Sequence, residues 1–287
     1  MKPAPFKYLP ALSWEEAVEY LSKYGDEAKI LAGGQTLVPA MNFRLLKPEV
    51  LVDVNAVTNG DVIRTEQGKL IIGALARHVK FETPVCAGGL ETLLPCMSRY
   101  IAHAPIRMRG TFAGSLAHAD PASEWCTLLA ALQGEVVAWG TNGERVIPAN
   151  DFFLFPLQTS LKPFEIIKEV NLPLLDEKWV CGFQEFSRRA GDFGLALTLA
   201  CLSIEGGIIK NARIGIGGVA ATPFRSGVAE ELLVGAEPSN KLFALAAEAA
   251  ASEIIDPLED QHATASYRLD LVRALLPRAL AEIVTKT

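Results

Sequence analysis

Cysteine is sparse in this 287-residue chain. Cys86, Cys96, Cys126, Cys181 and Cys201 are odd in number, scattered and never in C-x-x-C spacing. That spacing argues against a zinc or iron–sulfur site within the chain and predicts free, buried or half-buried thiols in a reducing cytoplasm. Histidine is scarcer still, and His78, His103, His118 and His262 lack metal-ligand spacing. No apolar run reaches the roughly 18 uncharged residues of a membrane helix. The opening MKPAPFKYLPALSWEE carries no apolar core of a secretory signal. Positive charge is also in deficit: 27 Lys+Arg against 33 Asp+Glu leave a net −6. Nucleic acid is a poor partner for such a chain, because duplex binding needs a basic patch that displaces counterions.

Several catalytic motifs are missing too. There is no G-x-x-x-x-G-K-[ST] phosphate loop. No G-x-S-x-G elbow surrounds Ser115, and Ser115, His118 and Asp120 lie too close in sequence to converge as a triad. Gly215–Ala220 has the form G-x-G-x-x-A, but Pro223 follows where a helix should open, so strand plus turn is expected there.

What is present is a packed chain, 50% hydrophobic and 21% charged, long enough for about two domains. Ser13-Trp14-Glu15-Glu16 has capping-box form and starts a predicted helix over 13–24. A strand at Lys29–Ala32, a helix near Leu37–Phe43 and a strand at Val50–Val54 complete a small βα unit. Further strands are expected at Leu70–Ala74, Val136–Trp139 and Glu165–Asn171. An interrupted helix is expected over Phe81–Leu94, and another opening at Asp120-Pro121 and running through Trp125–Leu132. Asn171–Asp176 reads as a linker. Beyond it come strands at Gly182–Arg188, Ala196–Glu205 and Ile208–Gly217, then helices at Ser226–Leu233, Lys241–Ile255 and Ala265–Val284. Strands followed by helices indicate an α+β unit. Leu269–Ile283 is expected to be core or a partner interface.

Two segments carry most of the chemistry. Ala32-Gly33-Gly34-Gln35-Thr36 lies between a strand and a helix. Adjacent glycines admit positive φ and close ligand approach, and successive N–H groups at a helix start make an anion-binding concavity. Gly110-Thr111-Phe112-Ala113-Gly114-Ser115 has the same character. Neither contains lysine. Together they suit a diphosphate held by backbone and hydroxyl donors. Four charge-assisted bonds supply roughly 6–12 kcal/mol. Association costs about 4–15 kcal/mol, so a dinucleotide must also bury its rings in apolar pockets. Of the arginines, Arg107 with Arg109 and Arg188 with Arg189 read as surface pairs, and Asp192-Phe193 as an aromatic placed to cover a ring.

These residues resemble a known family. Ala32–Pro39 with Val52-Asp53 looks like its first flavin loop, and Ile106–Pro121 like its second. Ser187–Phe193 and Gly217–Pro223 look like its C-terminal domain. The family is the FAD-binding medium subunit of molybdenum hydroxylases, similar to the carbon monoxide dehydrogenase and xanthine dehydrogenase flavoproteins. The resemblance implies an α+β (mixed α/β) chain: a two-subdomain FAD-binding domain of the PCMH type, residues 1–56 and 57–176, and a C-terminal α+β domain, 177–287. It implies noncovalent FAD. Leu31, Ala32, Gly33, Gly34, Gln35, Thr36 and Leu37, with Thr111, Ala113, Gly114 and Ser115, would wrap the diphosphate. Glu124 would lie near the ribityl or ribose hydroxyls, with His118 and Asp120 also among the cofactor's contacts. Ile101 and Ala102 would line the flavin pocket, Ile167 would touch the adenine or ring region, and Asp192 and Phe193 would approach the flavin.

The chain departs from that pattern in three places. Some members carry a lysine at the position of Glu185, and neither Glu185 nor Gln184 is a cation. A cation there would stabilise reduced, anionic flavin, so its loss bears on potential and acceptor. Gln35-Thr36 replaces a common serine, and Ala113 a common glycine. The implied role is oxidoreductase electron transfer in a heterotrimer, itself paired into a dimer of heterotrimers. A large subunit would hold the molybdenum cofactor and a small one two [2Fe–2S] clusters. The alternatives are a stand-alone FAD reductase or oxidase, and a flavin-free scaffold subunit.

Overall fold

The structure is a computed structural model and describes residues 1–286. Its first sheet is three-stranded and parallel, in the order β1-β3-β2. The strands are β1 (Lys7–Pro10), β2 (Ala28–Leu31) and β3 (Val50–Asp53), joined by helices α1 (Trp14–Tyr24) and α2 (Leu37–Asn42). Helix α1 starts where its cap dictates: Ser13 Oγ accepts from Glu16 N at 3.1 Å, and Glu16 Oε2 accepts from Leu12 N at 2.7 Å. Its apolar face, Ala17, Val18 and Leu21, packs on Val50, Val52 and Val54.

The second sheet is antiparallel, in the order β4-β5-β10-β6-β7. Its strands are β4 (Ile63–Glu66), β5 (Lys69–Gly73), β6 (Glu135–Gly140), β7 (Gly143–Pro148) and β10 (Ile166–Pro173). A small hairpin, β8 (Phe153–Phe155) with β9 (Gln158–Thr159), precedes β10. The helices of this part are α3 (Leu90–Ser98), α4 (Ala104–Arg107), α5 (Phe112–His118), α6 (Glu124–Leu132) and α7 (Ala149–Phe152).

The third sheet is an antiparallel meander of β11 (Trp179–Phe186), β12 (Ala196–Glu205), β13 (Ile208–Gly217) and β14 (Phe224–Arg225). Helices α8 (Gly227–Leu233), α9 (Asn240–Ser252) and α10 (Ala265–Lys286) cover one face. Leu271, Val272, Leu275, Leu276, Ala279, Leu280 and Ile283 of α10 are buried there, as core. Helix α6 packs on the other face and on β10. Both of its sides meet protein, and all its residues are buried, as an all-round apolar helix requires.

Four expectations are corrected. Of the interrupted helix expected over Phe81–Leu94, only Leu90–Leu94 is α-helix, as the first part of α3. The stretch before it is interrupted at Pro84 and at Gly88, whose φ is +81°. Asp120 does not start α6: its carboxylate accepts from Ala122 N at 2.9 Å, closing a turn, and Ser123 is the N-cap. Asn171 and Pro173 belong to β10, so the connection begins at Leu174. Cys181 and Cys201 are not free thiols. Opposed in register on β11 and β12 with Cα atoms 4.1 Å apart, they form a disulfide. Both are buried, which shields the bond from exchange.

Candidate functional site

Residues 32–36 leave the end of β2 as a turn and enter α2. Gly34 has φ +70°, a conformation that glycine adopts without strain. The amide N–H groups of Gly33, Gly34, Gln35 and Thr36 meet no acceptor among the described residues. The Gln35 side chain folds back, its Nε2 donating to Gly33 O at 2.9 Å. The result is a row of free donors, which favours a phosphate or similar anion.

The second loop lies directly against the first. A Cβ on Gly33 would stand 2.6 Å from Arg109 O and 2.7 Å from Gly110 Cα. Gly33 therefore makes room for the other loop rather than for a ligand alone. Thr111 caps α5, its Oγ1 accepting from Gly114 N at 3.0 Å. Ala113 is buried in the core, and its methyl takes no space from the loop surface.

A polar network locks the two loops. Tyr8 donates to Asp53 Oδ2 at 2.5 Å, and Asp53 Oδ1 accepts from Asn55 N at 2.8 Å and Asn55 Nδ2 at 2.6 Å. Asn55 Nδ2 also reaches Ala32 O at 3.0 Å. Arg77 donates to Asn55 Oδ1 and to Arg109 O, one contact on each side of the seam. Burial opposes ionisation of Asp53, yet the bonds from Tyr8 and Asn55 and the Arg77 charge hold it below its ordinary value. Sequence reasoning missed Arg77, Asn55 and Tyr8. The one signal for Arg77 was a charged residue closing the apolar run Leu70–Ala76.

A third wall joins Ile101 and Ala102 to the turn bearing Asp192 and Phe193. A Cβ on Gly191 would lie 2.5 Å from His103 Cε1 and 3.0 Å from Ala102 O. Arg107 pins the first partner, donating from Nη1 to Ile101 O at 3.1 Å and Ala102 O at 3.2 Å while pairing with Glu82 at 2.5 Å. It is a salt-bridged strut, one of the two states expected of this arginine, solvated or salt-bridged. Phe193 is 59% exposed, an aromatic free to cover a ring. Arg188 is bonded to His262.

At the N-terminus of α6, Glu124 is buried, and burial with the neighbouring Asp120 charge pushes its carboxyl up to about 7. Glu185 on β11 is pushed up to about 9, by burial and then by Glu124. His118 is half-buried at the C-terminal end of α5. Ile167 stands apart from the loops, buried in the core on β10 beneath α5. The structure thus brings Leu31–Leu37 against the start of the 111–115 segment, and Ile101–Ala102 against Asp192–Phe193. Asp120 and Glu124 adjoin the C-terminal sheet, because Gly218 N donates to Pro121 O at 2.8 Å.

Residues 4–175 match the family described as the FAD binding domain in molybdopterin dehydrogenase. Residues 182–283 match the CO dehydrogenase flavoprotein C-terminal domain. The chain is 40% identical to the 6-hydroxypseudooxynicotine dehydrogenase complex subunit alpha of Paenarthrobacter nicotinovorans, over 98% of this chain and 95% of that one. It is 37% identical to the nicotine 6-hydroxylase medium subunit of the same organism, over the whole of both. Its fold superimposes on a chain of carbon monoxide dehydrogenase from Hydrogenophaga pseudoflava with TM-score 0.94, 32% identity and 99% coverage of each. The fold and site define an FAD-binding oxidoreductase subunit. The chain belongs to the medium-subunit family of the molybdenum hydroxylases.

The residues present fit FAD. Free amides line the first loop, a glycine seam holds the second against it, and the turn that carries the exposed Phe193 packs through Gly191 against Ala102. Glu185 Oε2 is a buried polar atom with no partner among the described residues. Among the described residues no helix is long and apolar enough to cross a membrane.

Proposed function

We propose that this chain binds FAD across the two locked loops and the 191–193 turn, and carries electrons from the [2Fe–2S] clusters of a small partner subunit to an external acceptor. Bound FAD supplies a carrier that takes electrons singly and releases them singly or in pairs. The amides of Gly33, Gly34, Gln35 and Thr36, with the hydroxyls of Thr36 and Ser115, hold the diphosphate. Leu31, Ala32, Leu37, Thr111, Ala113 and Gly114 shape the walls around it. Asp120 and Glu124 face the ribityl or ribose hydroxyls, with His118 nearby. Ile101, Ala102, Asp192 and Phe193 flank the ring, and Ile167 backs the adenine side. A large subunit with the molybdenum cofactor completes the complex, as a dimer of heterotrimers in the cytoplasm. The domain limits are 1–56, 57–176 and 177–287.

The observation that supports this most is the row of amides without acceptors, held rigidly against a second loop. The test is the absorption spectrum of the chain purified with its partners. Flavin bands that bleach when the complex's substrate is added without oxygen are expected. A colourless complex that takes up no added FAD would refute the reading.

A further inference from the structure

The end of β11 beside the 191–193 turn holds a carboxyl oxygen that meets no partner among the described residues. Strand alternation puts Glu185 on the face of Cys181 and Phe183. Phe183 packs edge-on to Tyr100 at 5.3 Å between ring centres, one residue before Ile101 and Ala102. On the other side, a Cβ on Gly194 would meet Glu185 Cγ at 2.9 Å and Cδ at 3.1 Å. The carboxyl therefore lies under the turn that carries Asp192 and Phe193. Its Oε2 is buried and unbonded, which is costly unless a ligand or a proton meets it. Across the sheet Glu185 pairs with Leu197 and Leu197 with Gly217, where a Cβ would stand 2.1 Å from Thr127 Oγ1, one turn beyond the buried Glu124 of α6.

We propose that the pair Glu185 and Glu124 retains one proton between its two carboxyl groups in the wall of the flavin cavity, so that the cofactor faces one carboxyl and one carboxylate rather than two anions. The proposal rests on the FAD reading above.

Two carboxylates in a poorly solvated site cannot both ionise freely. The surroundings offer no relief. Asp120 adds negative charge beside Glu124. Tyr100 and Cys96 approach from the α3 side, both pushed up by burial. On α10, Lys286 is tied to Glu282 at 2.6 Å, and Glu282 accepts from Gln184 at 3.2 Å. Thr198 of β12 donates to Gln184 O. In the 187–193 loop Arg188 is engaged with His262, while Arg189 and Asp192 are exposed. No cation bonds to either carboxylate among the described residues. Reduction adds negative charge to the flavin, which strengthens the pair's hold on its proton. The electron comes from the partner clusters, and an ionised pair takes its proton from water: one water O–H bond breaks, leaving hydroxide, as one carboxyl O–H bond forms. The flavin potential must then fall with pH through the pair's titration.

The test is spectroelectrochemical titration of the complex with FAD bound, between about pH 6 and pH 10, the span set by the two carboxyls. Wild type and Glu185→Gln should agree at the acid end. At the alkaline end the Gln variant should be easier to reduce by at least tenfold in equilibrium constant, about 30 mV for two electrons. Parallel profiles with full flavin occupancy would overturn the proposal. A second readout needs no variant: the reduced-minus-oxidised infrared spectrum of wild type should show a protonated-carboxyl band that moves in D2O, and its absence would also overturn it. A complex that binds no FAD refutes the flavin reading, and this inference with it.

Discussion

A single methyl at Gly33 has nowhere to go, because backbone atoms of Arg109 and Gly110 occupy its place. Gly33→Ala must part the two loops. The expected result is loss of bound FAD together with an overpacking cost of about 1–3 kcal/mol. Flavin absorbance per chain and a thermal melt check both, and full flavin content would show that the seam does not matter. Arg77 acts at the same seam through hydrogen bonds. Arg77→Ala leaves Asn55 Oδ1 and Arg109 O without this donor. At about 1.4 kcal/mol per tenfold, the loss of such bonds should weaken FAD binding roughly tenfold or more. Fluorescence titration of the apo chain reads it, and an unchanged affinity would remove Arg77 from the site. Beside it, His78 is occupied structurally: its Nδ1 accepts from Trp125 Nε1 at 3.0 Å, and burial, with Arg107 and Arg77, lowers it to about 4.

Between elements, the contact of α6 with the end of β11 sets a pH dependence of the fold. Glu124 and Glu185 both have raised values in the folded chain. A raised carboxyl binds its proton more tightly folded than unfolded, so stability is greatest at acid pH and declines as pH rises from the ordinary carboxylate range through about 7 and about 9. Asp53, Asp61 and Glu165 are lowered and act oppositely, losing stability as pH falls through their folded values. Melting temperature of the apo chain against pH should slope downward on the alkaline side, and Glu185→Gln should flatten that slope. An unchanged slope would mean Glu185 is ionised in the fold. Elements with caps or long apolar patterns were legible in the sequence: Ser13 and Glu16 fixed the start of α1, and the ends of β12 and β13 fall where they were read. Short edge strands were not. β1 is a four-residue strand ending in Pro10, and β7 reads Gly-Glu-Arg-Val-Ile-Pro, so neither sequence shows the apolar–polar alternation that marks a half-buried strand. In the site, the glycine loops were legible as ligand-approach segments. Their contact with each other, and the Arg77 and Asn55 bridge, were not, because residues far apart in the chain make them.

In the molecule as a whole, the second sheet and the C-terminal sheet meet across the buried helix α6, with α3 packing on β11 beside it. A Cβ on Gly215 of β13 would stand 2.5 Å from Ala131 Cβ of α6. Small residues at this crossing let the C-terminal sheet approach closely enough for its 191–193 turn to reach Ala102. Gly215→Val should wedge the units apart. Calorimetry is expected to show one unfolding transition in wild type and two in the variant, and a single sharp transition in both would mean that the coupling lies elsewhere. The Cys181–Cys201 bond has a consequence for the same turn. It closes the segment between residues 181 and 201 into a loop that contains Asp192 and Phe193. A protease that cuts the exposed stretch 188–190 therefore opens a ring without releasing a fragment. The nicked chain should migrate as one band on a non-reducing gel and as two after reduction, so both halves of the cut turn stay attached to one molecule even when its backbone is broken.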